Sequence, residues 1–376
     1  MKIAILHDAI FTRAGGERVL LNIHKLFPDA TIYTTMYDPD KTYPEFKKAK
    51  IKTTWLNRFA HNEKLFKIFF FPFGILAARS INLKGYDVVF CTTTHCAKYV
   101  KIDKKTLVIN YCFTPFRLAW NPNSYRLYKN SVGLKRLILS LIIWLLKKID
   151  FKYSKRANHY IAMTNETAQR IKDCYKFERN IDIIKPSIDT TKFSLSKKKG
   201  DFYLVVSRLE EYKKVDLVIK TFNMLGKKLK IVGNGVEKNN LKKIANSNIE
   251  FMENIDDKKL YTLYAESKAL IFPQHEDYGL TPIEAYASGT PVIAYNRGGV
   301  LDTGIPFSDN EDECTMILFE NQTEESLLKA INKFEELRFN SKFIINHSKN
   351  FDDKIFRKIV DEYIKNKYKL FQQSNL

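Results

Sequence analysis

Residues 274–286 read QHEDYGLTPIEAY and set two carboxylates, Glu276 and Glu284, either side of a glycine and a Thr-Pro step. Pro282 forbids one continuous helix through both acids, because it lacks an N–H and its ring clashes with the preceding turn. It suits the first position of a helix with Thr281 as N-cap. Glu284 then falls at the third helical position and TPIE reads as a capping box, with Gly289 ending the helix. Glu276 is left in the strand-to-helix loop, where Tyr278, Gly279, Leu280 and Thr281 offer backbone amides at a helix start. Such an end attracts phosphate. Spacing alone leaves two readings of each acid open: capping or ligand for Glu284, solvated loop or ligand for Glu276.

The elements that position these groups follow a repeated β-α alternation. KIAIL, YDVVFCTTT, TLVINYCFT and HYIAMT read as buried strands of a first half, with AGGERVLLNIHKLF as a helix. DFYLVVSRL, KLKIVGNG, NIEFM, KALIFPQ and TPVIAYN read as strands of a second half, separated by KKVDLVIKTFNML, VEKNNLKKIA, DDKKLYTLYAES and TPIEAYASG. This pattern predicts an α/β chain of two Rossmann-like domains with parallel sheets, ligands lying at the carboxyl ends of the strands. The join is expected near IDIIKPSIDTTKFSLSKKKG, where Pro186 and a Lys-rich polar stretch interrupt the periodicity. FDDKIFRKIVDEYIKNKYKLF reads as a closing amphipathic helix. A chain of 376 residues is too long for one ordinary core, and its 45% hydrophobic content excludes a disordered chain.

The charge is uneven. Residues 1–190 hold 33 Lys and Arg against 15 Asp and Glu, a net of +18 out of +20 for the whole chain. A basic half implies an anionic partner: a phospholipid surface, nucleic acid or a phosphorylated substrate. No RNP-like, zinc-finger or helix-turn-helix signature accompanies it, so nucleic acid is not expected. Two apolar runs, Ile68 to Ala78 and Leu137 to Leu146, the latter between Lys135, Arg136, Lys147 and Lys148, are each about 15 Å long as helices and too short to span a bilayer. Each fits a helix in the headgroup region or a buried core helix with solvated lysines; the basic half favours the membrane surface. Five cysteines without a C-x-x-C pair suit a reducing cytoplasm. MKIAILHDAI reads as a first buried strand rather than a signal peptide.

EDYGLTPIE, followed by AYASGTPVIAYNRGGVLDT, resembles the E-x7-E donor-site signature of retaining GT-B glycosyltransferases, enzymes of two Rossmann-like domains facing a central cleft. SRLEEYKKVDLVIKTFN, IVGNG, YTLYAESKALIFP and AGGERV fall in the same family order. NLKGYDVVFCTTTHCAK and YCFTPFRLAW resemble bacterial O-antigen and capsule mannosyltransferases, and the likeness covers roughly residues 1–350. The resemblance implies that Arg208 and Lys213 hold the donor diphosphate, with Gly15 and Gly16 close to the donor, Glu284 on the ribose hydroxyls and Glu276 on the sugar. Charge on the leaving diphosphate would be met by these cations and the helix amides near Gly279, without a metal. It further implies an N-terminal, acceptor-binding and membrane-facing domain (1–190), a nucleotide-sugar domain (191–350) and a C-terminal helix (351–376) able to pack back on the first domain. GDP-mannose is the expected donor with UDP-sugars as the alternative, no separate cofactor is expected, and the expected acceptor is a lipid-linked saccharide at the inner face of the cell membrane. A soluble enzyme of the glycogen or sucrose type is the competing class. Many relatives carry His where this chain has Phe113, and phenylalanine cannot take a proton. His95 is another candidate for the cleft and stands with Glu276, Arg208 and Lys213 as a catalytic candidate, while Phe113 and Arg117 are acceptor-side residues. The D-x-D at Asp38 and Asp40 reads as a turn signal rather than a metal site.

Overall fold

The computed structural model describes residues 1–59, 73–95 and 97–374, with Arg126 by its backbone alone. The chain divides into two compact units, Met1–Lys185 with Phe356–Leu376, and Pro186–Ile355.

The first unit is a seven-stranded, fully parallel sheet in the order β3-β2-β1-β4-β5-β6-β7. Its strands are β1 (Ile3–His7), β2 (Thr31–Thr34), β3 (Ile51–Thr53), β4 (Val88–Thr93), β5 (Leu107–Cys112), β6 (His159–Ala162) and β7 (Asp182–Ile183). Every residue of β1, β4 and β5 is buried, the pattern of strands covered on both faces. Helices α1 (Gly15–Leu26), α2 (Gly133–Ser154) and α3 (Asn165–Tyr175) belong to this unit. α1 turns Val19, Leu20 and Ile23 inward, and α3 starts where the Thr164 side chain accepts from the Thr167 amide.

The second unit is a six-stranded parallel sheet in the order β10-β9-β8-β11-β12-β13. Its strands are β8 (Tyr203–Val206), β9 (Leu229–Val232), β10 (Ile249–Met252), β11 (Leu270–Phe272), β12 (Val292–Tyr295) and β13 (Met316–Phe319). Its longer helices are α4 (Val215–Leu225), α5 (Asp257–Glu266), α6 (Leu280–Ala287), α7 (Glu324–Glu336) and α8 (Ser341–Ser348). The last helix, α9 (Asp353–Ser374), begins in this unit and continues in the first.

Counted from its own first strand, each sheet runs 3-2-1-4-5-6, with β7 added at the edge of the first, so each unit is a doubly wound parallel α/β domain. The alternation in the sequence marks nine of the thirteen described strands; β2, β3, β7 and β13 carry no signal taken up there. β3 and β7 are edge strands of three and two residues, too short for a periodicity to register.

Two local expectations change. The apolar run 137–146 is the middle of a 22-residue helix rather than a helix of its own length, so α2 is about 33 Å long. No described helix is long and apolar enough to cross a membrane. The run from Ile68 begins outside the described residues; its end forms the short helix Ile75–Ser80.

Candidate functional site

In the second unit β8 and β11 are neighbours, and the next strands lie on opposite sides of them, β9 beyond β8 and β12 beyond β11. Their carboxyl ends are thus the topological switch point, where ligands of such sheets bind. β8 runs into the loop that carries Arg208 and Lys213, and β11 into the loop that carries Gln274 and Glu276. The Lys213 ammonium pairs with the Glu276 carboxylate. Lys213 is buried beside the Tyr212 ring, with its Nζ 5.0 Å from the ring centroid. Arg208 is exposed and donates from Nη2 to the Tyr212 hydroxyl at 2.6 Å. One cation is therefore committed to the acid, and the other reaches solvent from the same loop.

α6 supplies the amides, but it starts elsewhere than the Thr-Pro step suggests. Its N-cap is Gly279, at φ +89°, and its first residue is Leu280. Thr281 is therefore no cap, and Pro282 is the third helical residue, still within the first turn, where a missing N–H costs nothing. Gly279 makes the turn that a residue with a Cβ resists. A capping box for Glu284 is overturned with it. Glu284 is the fifth helical residue, is 8% exposed, and its Oε2 accepts from the Tyr264 hydroxyl at 2.8 Å. Tyr278 points its hydroxyl away from the helix start, donating to the Pro186 carbonyl at 2.6 Å, so it offers the site its backbone. Gln274 is buried at the start of the same loop, and its Oε1 has no hydrogen-bond partner among the described residues. A buried acceptor in this condition calls for a donor such as a ligand hydroxyl or a water. Neither Gln274 nor Tyr264 carries a local spacing signal that would mark it as a site residue.

Each loop is held by a glycine of the adjacent loop. A Cβ on Gly233, which follows β9 at φ +147°, would meet the Ser207 carbonyl oxygen at 1.8 Å. A Cβ on Gly298, which follows β12 at φ +86°, would meet the Glu276 carbonyl oxygen at 2.4 Å. Backbone bonds complete the clamps: the Leu209 amide donates to the Asn234 carbonyl at 2.9 Å, and the Gly299 amide to the Glu276 carbonyl at 2.8 Å. IVGNG and NRGG thus help set the positions of the loops that carry Arg208, Lys213 and Glu276.

The first unit repeats the arrangement at its own switch point, between β1 and β4. Asp8 follows β1 and is buried; its two oxygens accept from the Thr93 and Thr94 hydroxyls and from the Thr94, His95 and Ala97 amides, at 2.6 to 3.0 Å. His95 Nδ1 lies 3.0 Å from Asp8 Oδ2, and the ring stands edge-on to Phe116 at 5.5 Å. Burial alone would raise the Asp8 carboxyl; the facing His95 and the amide donors hold it well below the ordinary aspartate value. Gly15 and Gly16 are the first two residues of α1, whose start has no side-chain cap. A Cβ on Gly16 would touch Phe113 at 3.4 Å and His7 at 3.8 Å. The imidazole beside Phe113 is therefore His7, which donates or accepts at Thr92 Oγ1 over 2.8 Å and whose burial lowers its pKa. No motif marks His7 and Asp8; their signal in the sequence is a His-Asp pair at the end of a first buried strand. Arg117 is exposed at the start of the short helix Arg117–Trp120.

Asp38 and Asp40 serve their turn: Asp38 accepts from the Asp40 amide at 3.2 Å and pairs with Lys41, while Asp40 pairs with Lys47. Among the described residues no group of three or more His, Cys, Asp or Glu side chains converges as a metal site.

Residues 187–352 match the family of glycosyl transferases group 1. An uncharacterized glycosyltransferase of Haemophilus influenzae is 35% identical over 268 residues, 59% of this chain and 75% of that protein. The alpha-1,3/1,6-mannosyltransferase ALG2 of Dictyostelium discoideum is 26% identical over 94% of each chain. Among solved structures, Anabaena Alr3699/HepE in complex with UDP superposes with a TM-score of 0.70 at 14% identity, over 97% of this chain and 100% of that one. The matched region holds both loops of the second switch point, and with these relatives it establishes that the chain belongs to the group 1 glycosyltransferases.

Proposed function

We propose that this glycosyltransferase moves a hexose, mannose from GDP-mannose, with retention onto a lipid-linked oligosaccharide of a surface polysaccharide such as O-antigen or capsule. It would work at the anionic inner face of the cell membrane. The observation that carries the transfer chemistry is the Lys213–Glu276 pair beside the first turn of α6. Arg208, Lys213 and the amides of Gly279, Leu280 and Thr281 are proposed to take the charge that grows on the departing diphosphate, a task that fixed cations and helix dipoles perform without a metal. Lys213 would then share its charge between phosphate and Glu276, leaving the carboxylate to accept from sugar hydroxyls. Glu284 keeps one oxygen on Tyr264 and is proposed to use the other on the ribose. Gly15 and Gly16 are proposed donor contacts. His95, held by Asp8, is proposed as a catalytic residue, and Phe113 and Arg117 are proposed on the acceptor side. Phe113 removes a protein base at its position, which suits attack assisted by the leaving phosphate itself. The mannosyl donor and lipid-linked acceptor draw support from the likeness to the ALG2 mannosyltransferases.

The test is release of nucleoside diphosphate with a panel of nucleotide sugars and a lipid-linked acceptor. Turnover with GDP-mannose is expected, falling about a hundredfold or more in Glu276→Ala and Arg208→Ala, the scale of losing one charge-stabilising group. Parent-like rates in both variants would overturn the site, and turnover with a UDP-sugar in place of GDP-mannose would move the donor to the alternative reading.

A further inference from the structure

Helix α2 is packed inside out. The side it turns inward carries Asp150 and Ser154, both fully buried, together with Ile143 and Leu146. Asp150 is held by the Lys98 ammonium at 2.6 Å, the Tyr99 hydroxyl at 3.2 Å and the Trp120 indole N–H at 2.8 Å. The side it turns outward carries Leu134, Leu137, Ile138, Leu141, Trp144 and Leu145, with Leu134 72% and Leu137 68% exposed. Their spacing of three and four residues makes one continuous stripe along the helix. Proteins that stay in water rarely leave an apolar patch of more than about 300–600 Å² uncovered.

Charge says what covers it. The stripe runs straight into Lys147, Lys148, Lys152 and Lys155, all exposed, on the half of the chain whose net charge is +18. Lys147 and Lys148 lie over the rings of Trp120 and Trp144, 4.6 and 4.9 Å from their centroids. With Lys176 and Phe151 these residues line a pocket of about 680 Å³, in which Asp173 is the one acidic side chain. An apolar stripe ending in an aromatic pocket ringed by ammonium groups matches acyl chains below and phosphate headgroups beside them. A second piece of the fold reinforces this. Leu56, Ile75 and Ala78 pack in the same core cluster as Leu146 of α2. The segments that carry them expose Trp55, Phe59, Phe73 and Leu76. The described end of the first apolar run therefore shares a cluster with the second.

We infer that the outer face of α2 is the membrane-docking surface of the chain, lying flat on an anionic bilayer, with the Trp120–Trp144–Lys147–Lys148–Lys176 pocket taking a phospholipid phosphate. The inference rests on the proposed action at a membrane and supplies the surface that makes it possible. Docking through α2 gives the chain a place to meet a lipid-linked acceptor at the bilayer surface.

Flotation of the full-length protein with phosphatidylglycerol/phosphatidylcholine vesicles and with pure phosphatidylcholine vesicles tests it. The parent is expected on the anionic vesicles and not on the neutral ones. L137Q/L141Q, both at exposed positions, is expected to lose partitioning by about tenfold or more, and K147Q/K148Q to lose the preference for phosphatidylglycerol. Equal binding by the parent and L137Q/L141Q, no binding by the parent, or a parent dimer that L137Q/L141Q dissociates in the absence of vesicles would overturn the inference, the last by giving the face to a second copy. Thermal shift with nucleotide sugars on the same preparations separates the two failures. A donor shift without vesicle binding sinks the surface alone, and vesicle binding without any donor shift sinks the transfer reading alone.

Discussion

At the residue scale the chain uses buried and half-buried acids to position the groups that face them. Glu276 holds Lys213, Asp150 holds Lys98, and Asp8 faces His95. In each pair the acid lies just beyond a strand end or on a helix, and the partner comes from a different element. Asp8 is the most heavily bonded, and its low pKa makes it a pH-dependent stabiliser. A carboxylate whose folded pKa lies below its unfolded value contributes fully above the ordinary value of 3.8 and loses that contribution as the pH falls through the folded value. Asp8→Asn turns an amide NH2 toward groups that themselves donate, and is expected to cost ~2–4 kcal/mol at pH 7. Urea unfolding of parent and variant should show that gap constant from neutral pH down to mildly acid pH and narrowing below 3.8. A gap that does not narrow would assign the loss to packing instead of charge.

At the element scale the site is made of loops that other loops hold still. Gly233 clamps the Arg208–Lys213 loop, and Gly298 clamps the Glu276 loop, both by approaches that a Cβ would block. Gly298→Ala must shift the Glu276 backbone, with strain on the order of 1–3 kcal/mol. We expect nucleotide-sugar affinity, followed by thermal shift or calorimetry, to fall about tenfold with the fold retained by circular dichroism. Gly85→Ala is the control: φ is +78° there, but nothing stands within 4 Å of the added Cβ, so it pays backbone strain and leaves donor affinity unchanged. Helix α2 shows the reverse economy. Its polar network with Lys98, Tyr99 and Trp120 fixes its inner side, which frees its outer side from any duty to the core.

At the scale of the whole molecule the chain passes between its units twice, at Lys185–Pro186 and at Ile355–Phe356. The first unit is therefore incomplete until the last residues are made. Phe356, Val360 and Ile364 of α9 are buried, Arg357 donates to Asn22 at 2.8 Å, and the Tyr363 hydroxyl donates to Asp182 at 2.6 Å. Burying three such apolar side chains contributes about 1.5–3 kcal/mol each. Truncation after Ile355 is expected to lower or abolish the unfolding transition of the first unit while that of the second, followed separately by calorimetry, moves little. A uniform loss of both transitions would contradict two separately packed units.

The sequence by itself determined the β-α alternation, the break at Pro186, and the loops that carry Arg208, Lys213, Glu276 and His95, because strand and helix periods and turn residues are local properties of the chain. It also carried the family likeness, since that lies in ordered local motifs. Only the tertiary structure decided what those residues meet. Strand order puts the end of β8 beside the end of β11 and joins Lys213 to Glu276; it also sets β1 beside β4 and joins Asp8 to His95. It replaced a capping role for Glu284 with a bond from Tyr264, a residue on another helix. It also decided which side of α2 packs inward and which is left uncovered, a choice the apolar run alone left open, because burial is fixed by the neighbours a helix acquires and not by its own period.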